Sequence, residues 1–387
     1  MLRRTVLMAA VLLASLPSLA QTTQMDRDLM EATIPQLQHF YASHKYTVTQ
    51  VVQWYAARIE RYNGIYRAIE HVELDDALKT AALEDALLPN PDFHRGALFG
   101  VPIVIKANTS IAGHVTTDGW KGYTIPGHEL IAPRDATVVA RLKAAGAVIL
   151  GQTNMPDFAA SDTNRSSSFG RTGNAYDVRF SPGGSSGGTV TAVTSNLAML
   201  GDGTDTGNSI RMPAATSAVV GVFPTRGLVS IAGIAPLDWL LDNTGPIARD
   251  VTDAAIALGV MAGEDPLDWR TAEARGKAEL GPYTRYLKKD ALKGKRFGVP
   301  AFVMNGAGVP FQGIPASTSA EEAARMRHEE EILLRPETRA AFMKAVEGLR
   351  AAGAEVIFDD SILPTASPRR SAACVPIPTC ARELKTS

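Results

Sequence analysis

The chain has 387 residues, 45% hydrophobic and 20% charged, which is enough to bury a large core as one big α/β domain or two smaller ones. With 39 Lys and Arg against 40 Asp and Glu the formal net charge is −1, so nothing points to a polyanionic partner and nucleic-acid binding is set aside. The only two cysteines, Cys374 and Cys380, lie together near the end and cannot form a disulfide framework for the body.

In chain order, Met1-Leu2-Arg3-Arg4, an apolar stretch from Thr5 to Leu16, and Ser18-Leu19-Ala20 before Gln21 read as a secretory signal peptide over residues 1–20. The apolar stretch is too short for a bilayer core about 30 Å thick, so the pattern predicts cleavage, export to the periplasm or medium, and no membrane span afterwards. Thr47 and Gln50 form a capping box ahead of Val51, Val52, Tyr55 and Ile59, which predicts a helix over 48–62 stopped by Gly64. A second helical pattern runs through Ala77, Ala81, Ala82 and Leu87. Leu98 to Ile105 reads as a buried strand that carries Lys106 at its end.

Val138, Val139, Leu142 and Ala145 are spaced for a helix over 136–145, with Gly146 at the left-handed position after it and Ala147 to Leu150 as the next strand. Thr338 to Ala352, Gly353 and Ala354 to Phe358 repeat that plan. Together these argue for an α/β sheet with helices on both faces. Lys288, Lys289, Lys293, Lys295 and Arg296 read as a solvated connection before a strand from Phe297 to Val303. After Leu363 neither period continues: Pro364, Pro368, Pro376 and Pro378 mark an irregular tail over 361–387.

Two serines stand 24 residues apart in glycine-rich runs, Ser185 in Gly183-Gly184-Ser185-Ser186-Gly187-Gly188 and Ser209 in Gly203-Thr204-Asp205-Thr206-Gly207-Asn208-Ser209. Composition alone would also describe a flexible linker. But Val190, Ala192 and Val193 follow the first run, and Ile210, Met212, Ala214 and Ala215 the second, so each reads as a loop opening a helix. Such a loop turns several free N–H groups toward one spot and holds an anion there.

Three chemistries use that arrangement. A phosphate loop requires a lysine after the glycines, and neither run has one. A hydrolase elbow, G-x-S-x-G, fits Gly184-Ser185-Ser186-Gly187-Gly188 with Ser186 as nucleophile, but the one histidine beyond it is His328, in a charged helical stretch. His328-Glu329-Glu330-Glu331-Ile332 has Ile332 where a zinc-protease helix needs its second histidine, so no metal site is read there. His39, His44, His71, His94, His114 and His128 are scattered singly and read as structural or exposed. The third chemistry uses Lys106 as a base. A lysine at the end of a buried strand, followed by Ala107 and Asn108, loses charge by desolvation and can then take a proton. A lysine paired with a carboxylate elsewhere in the chain is the alternative.

The run from Ser181-Pro182 through both serines to Ile210-Arg211-Met212-Pro213-Ala214-Ala215 resembles the amidase signature family. So do Gly100-Val101-Pro102 before Lys106, Gly151-Gln152-Thr153-Asn154-Met155-Pro156-Asp157-Phe158-Ala159, Val220-Gly221-Val222-Phe223-Pro224-Thr225 and Gly245-Pro246-Ile247-Ala248-Arg249. The likeness covers roughly residues 45–360. It implies one α/β domain over 21–360, with a large mixed twisted sheet flanked by helices on both faces and a catalytic core over about 95–250. It implies Ser209 as nucleophile, Ser185 as a bridging serine on a cis peptide with Gly184, and Lys106 as base, with Ser186 a bystander. The N–H groups of Thr206, Gly207, Asn208 and Ser209 would form the oxyanion hole. The implied reaction is hydrolysis of a C–N amide bond in a small-molecule or peptide amide through an acyl-enzyme, without metal or cofactor. Specificity is expected partly near Trp120, Trp239 and Leu240.

The chain departs from the family pattern in two places. Ala107 replaces an acid that often follows the lysine, and Asn208 replaces a glycine before the nucleophile; asparagine tolerates positive φ, which would let the loop keep its course. Family members usually run further past the tail, so the fold is expected to be incomplete at its C-terminal end. A truncated, catalytically impaired remnant is therefore one alternative. The amidase subunit of a tRNA-linked amidotransferase is another, against which the leader pattern argues.

Overall fold

The structure is a computed structural model that describes residues 23–90, 93–274, 276, 280–299, 318–329 and 335–358. Residues 1–20, read as a leader, the stretch at 361–387 read as a tail with Cys374 and Cys380, and residues 300–303 of the strand expected at Phe297–Val303 lie outside the described residues. The chain divides into two compact units, one ending at Tyr286 and one beginning at Leu287, within the stretch read from sequence as a single body.

In the first unit the Thr47 side chain accepts from the Gln50 N–H and the Gln50 side chain accepts from the Thr47 N–H, so the capping box forms as read. The helix it opens buries Val48, Val51, Val52, Tyr55 and Ile59 along one face and runs Val48–Tyr66. It therefore passes through Gly64, the residue expected to stop it. Gly64 is exposed with open space around it, and the stop comes instead at Arg67, in left-handed geometry at φ 53°. Asn63 fixes that end by accepting from the N–H groups of Ala68 and Ile69.

The strands are β1 (Ile69–Val72), β2 (Val101–Lys106), β3 (Ala147–Thr153), β4 (Arg165–Ser166), β5 (Gly170–Arg171), β6 (Leu200–Asp205), β7 (Val220–Gly221) and β8 (Asn243–Ala248). Six of them make one mixed sheet in the order β1-β3-β2-β6-β8-β7. β2 is parallel to both β3 and β6, while β1, β7 and β8 pair antiparallel with their neighbours. Every residue of β2, β6 and β8 is buried, as strands covered by helices require. The helices Leu74–Leu87, Thr137–Ala144, Gly187–Thr194 and Val251–Met261 flank this sheet, and Ile103, Ile105, Val148, Leu150 and Leu142 belong to the main core. Among the described residues no helix is long and apolar enough to cross a membrane.

Helix Gly187–Thr194 is buried from Gly187 to Val193 and admits no thicker backbone at its start. A Cβ on Gly188 would lie 2.3 Å from the Asn154 carbonyl oxygen and 2.6 Å from that of Ala68. Because both obstacles are backbone, Gly188→Ala is expected to destabilise the fold by roughly 1–3 kcal/mol, read as a lowered thermal unfolding midpoint.

In the second unit β9 (Arg296–Val299) pairs in parallel with β10 (Glu355–Phe358), and helix Pro336–Ala351 leads into β10. Gly353 stands at φ 87° between them, as Gly146 does at φ 87° between helix Thr137–Ala144 and β3. The repeated helix-glycine-strand plan is thus present in both units, as the sequence suggests.

Candidate active site

β2 and β6 are parallel neighbours in a register that sets Val104 beside Gly201, so their carboxyl ends finish together. That edge is where parallel α/β sheets expose their chemistry. Lys106 closes β2 there, and Thr204 and Asp205 close β6. The loop through Ser185 enters helix Gly187–Thr194 against the same edge.

Lys106 is fully buried. Its Nζ donates to Ser185 Oγ at 2.7 Å, to Thr204 Oγ1 at 2.7 Å and to Ser186 Oγ at 3.1 Å. Among the described residues no carboxylate stands within ion-pair distance of Nζ. The nearby Asp202 instead accepts from the Lys106 backbone N–H at 2.6 Å and from Thr109 Oγ1 at 2.7 Å. Burial pushes the Lys106 ammonium down to about 7, while Asp202, Asp118, Asp205 and Asp242, in falling order, pull the other way. Of the two sequence readings, the desolvated amine fits and the carboxylate-paired lysine does not.

Ser185 is fully buried, and the peptide joining it to Gly184 is cis. The Ser186 N–H donates to the Ser209 carbonyl at 3.2 Å and Ser186 Oγ donates to the Thr204 carbonyl at 3.2 Å, so Ser186 stitches the two serine loops together. Spacing in the sequence gives no sign of that tie, nor of Thr204 as a further hydroxyl on the lysine.

Ser209 is 7% exposed and ends the loop from β6 to helix Arg211–Thr216. Asp205 shapes that loop: its carboxylate accepts from the Ile210 N–H at 3.0 Å and holds Arg211 through Nε and Nη2, each at 3.0 Å. Burial raises the Asp205 carboxyl, but these donors outweigh it and leave it below its ordinary value. Thr206 Oγ1 donates to Asp242 at short range. Among the described residues the N–H groups of Thr206, Gly207, Asn208 and Ser209 donate to no other atom. Asn208 does not take up positive φ, so the tolerance invoked for it is not needed, and its Nδ2 turns aside to Asp162 Oδ2 at 3.3 Å. We expect Asp205→Asn to lower kcat/KM about 10- to 100-fold by loosening the Ser209 loop, with the unfolding midpoint as the control.

Residues 50–310 match the family profile described as Amidase. The chain belongs to this family, the amidase signature family. Among curated proteins it resembles one component of the glutamyl-tRNA(Gln) amidotransferases. Over 282 residues it is 38% identical to that component from Caldanaerobacter subterraneus subsp. tengcongensis, covering 73% of this chain and 55% of that protein. The counterpart from Streptomyces coelicolor is 41% identical over 272 residues, covering 70% of this chain and 53% of that one. The native peptide amidase of Stenotrophomonas maltophilia superposes with a TM-score of 0.70 at 34% identity, covering 84% of this chain and 61% of that one. An amidase family protein from Bacillus anthracis gives 0.72 at 29% identity, covering 86% and 61%. The chain thus spans little more than half the length of these curated relatives. The mixed α/β sheet expected from the resemblance is the fold these amidases share.

His114, read from sequence as structural or exposed, is half-buried beside two carboxylates. Its Nδ1 lies 2.9 Å from Glu73 Oε1, and its Nε2 lies 3.9 Å from Asp76 Oδ2. Among the described residues these three form the group whose ligand atoms could meet a metal ion. They stand near the junction of β1 with helix Leu74–Leu87, where Asp76 already pairs with Lys79, so ordinary surface polar contacts account for them.

Proposed function

We propose that this chain is a serine amidase that breaks a C–N amide bond through Lys106, Ser185 and Ser209. The observation that carries the reading is the contact of a fully buried lysine Nζ with Ser185 Oγ at 2.7 Å, on the sheet edge that also presents the Ser209 loop and its unengaged N–H groups. A neutral Lys106 takes the proton of Ser185 as Ser185 takes that of Ser209, and Ser209 Oγ bonds to the amide carbon. The N–H groups from Thr206 to Ser209 receive the oxyanion, and each such donor supplies about 3–4 kcal/mol of transition-state stabilisation. The C–N bond then breaks as the proton returns through Ser185 to the leaving nitrogen. Water releases the acid by the same relay.

The curated relatives favour a second reading, the amidase subunit of a tRNA-linked amidotransferase, in which the amide nitrogen goes to an acceptor; glutamine, the residue in the relatives' printed name, serves as its test amide. Both readings share the acyl-enzyme on Ser209. The leader pattern at 1–20 supports the first, together with export; the names of the curated relatives support the second. Purified chain incubated with primary amides, peptide amides and glutamine, with ammonia release as readout, separates them. Turnover of simple amides without added proteins is the expected result, and turnover confined to glutamine would replace it with the second reading. A folded chain that neither turns over any amide nor reacts with a fluorophosphonate would overturn both.

A further inference from the structure

Asp118 is the acid beside the site that the relay leaves unused. It is 4% exposed, and its Oδ1 is buried without a hydrogen-bond partner. Its backbone is fixed at the site: the N–H donates to the carbonyl of Ala107, next to the base, at 3.0 Å, and the carbonyl accepts from Phe158 N–H at 2.7 Å. The charged groups that face it are Lys106, Asp157, Asp242 and Glu70. The other three carboxylates are engaged: Glu70 accepts from Thr117 and Ser168, Asp157 from the Ser167 N–H at 2.6 Å, and Asp242 from Thr206 and from the Leu237 N–H at 3.0 Å. Burial raises the Asp118 carboxyl to about 7. Of these four carboxylates, Asp118 has an oxygen with nothing to bind.

Trp120, two residues after Asp118, and Phe158, whose N–H binds the Asp118 carbonyl, pack with ring centroids 5.5 Å apart and are 39% and 40% exposed. Tyr123 completes the group at 5.0 Å from Trp120. Exposed aromatic faces on the segments that hold an unpaired buried carboxylate suit an organic cation, because rings attract its charge and an acid neutralises it. A neutral alkyl chain would satisfy the rings but leave the Asp118 oxygen without a donor.

We propose that Asp118, with the Trp120–Phe158 rim, is a substrate-binding subsite that selects amides carrying an ammonium group. The word substrate rests on the amidase reading above; the binding does not. A purely conformational role competes with it, since Asp118 stands at φ 48°, a geometry that aspartate and asparagine both tolerate. Asp118→Asn keeps that backbone preference and removes the charge.

The test titrates the Ser209→Ala chain by calorimetry with 4-aminobutanamide and with pentanamide, its neutral counterpart of equal length. The ammonium amide is expected to bind about tenfold tighter, and the advantage to vanish in Asp118→Asn/Ser209→Ala. Equal affinity for the two amides, a preference that survives Asp118→Asn, or binding of neither at millimolar concentration would each overturn the subsite. Failure of the amidase reading is seen separately, as absence of fluorophosphonate labelling in the otherwise unsubstituted chain.

Discussion

Replacing Ser209 with alanine is expected to lower kcat on the order of 10⁴- to 10⁶-fold and to abolish fluorophosphonate labelling, because no other group then bonds to the carbonyl carbon. Ser186→Ala is expected to act quite differently. Its hydroxyl donates to the Thr204 carbonyl and accepts from Lys106, while its N–H, which the substitution keeps, holds the Ser209 carbonyl. A loss of about 10-fold in kcat with labelling retained is therefore expected for it. Ser185→Ala, which interrupts the proposed path from Lys106 to Ser209, should fall near Ser209→Ala in kcat, since members of one relay are not additive. Active-site labelling followed by peptide mass analysis reads all three. Label found on Ser186, or label that persists in Ser209→Ala, would transfer the nucleophile to the elbow reading of Gly184 to Gly188.

The loops are readable because their signals are local. Glycines followed at once by apolar helix formers mark a loop that opens a helix, and the helices Gly187–Thr194 and Arg211–Thr216 stand where that pattern places them. Lys106 is readable as the end of a buried strand for the same reason. What the lysine touches is not readable from spacing. Thr204 is 98 residues away and Asp202 binds its backbone from 96 residues away, and both are brought there by the order β2-β6 in the sheet. Nothing within either strand encodes which strand it will neighbour. The same limit applies to Asp118, an ordinary loop aspartate in sequence that becomes notable once Ala107 and Phe158 fix its backbone. The difference at Gly64 is of another kind. A glycine lowers helix propensity by only about 1 kcal/mol, and Asn63, one residue earlier, anchors the true end by binding Ala68 and Ile69.

The largest pH effect should come from Lys106. In the proposed relay the base acts as a neutral amine, and burial brings Lys106 down to about 7, so kcat/KM is expected to rise as pH increases through about 7 and to level off above it. Lys106→Met should remove that limb and cost on the order of 10²- to 10⁴-fold. Lys106→Arg supplies the sharper comparison: its guanidinium can still donate to Ser185 and Thr204 but does not give up a proton in this range, so it should be as inactive as the methionine variant. Recovery of activity in Lys106→Arg would show that the lysine only donates hydrogen bonds. Stability carries the same signature. Between about 7 and the ordinary lysine value of 10.5 the unfolded chain binds a proton at Lys106 that the folded chain does not, so stability gains as pH rises across that window and is lost as pH falls through it. Lys106→Met should flatten the part of that slope that this lysine contributes, measured as the unfolding midpoint at pH 7.5 and 9.5. A lysine that stayed protonated in the fold would leave the slope unchanged on substitution, and its ammonium would have no free electron pair with which to take the proton of Ser185.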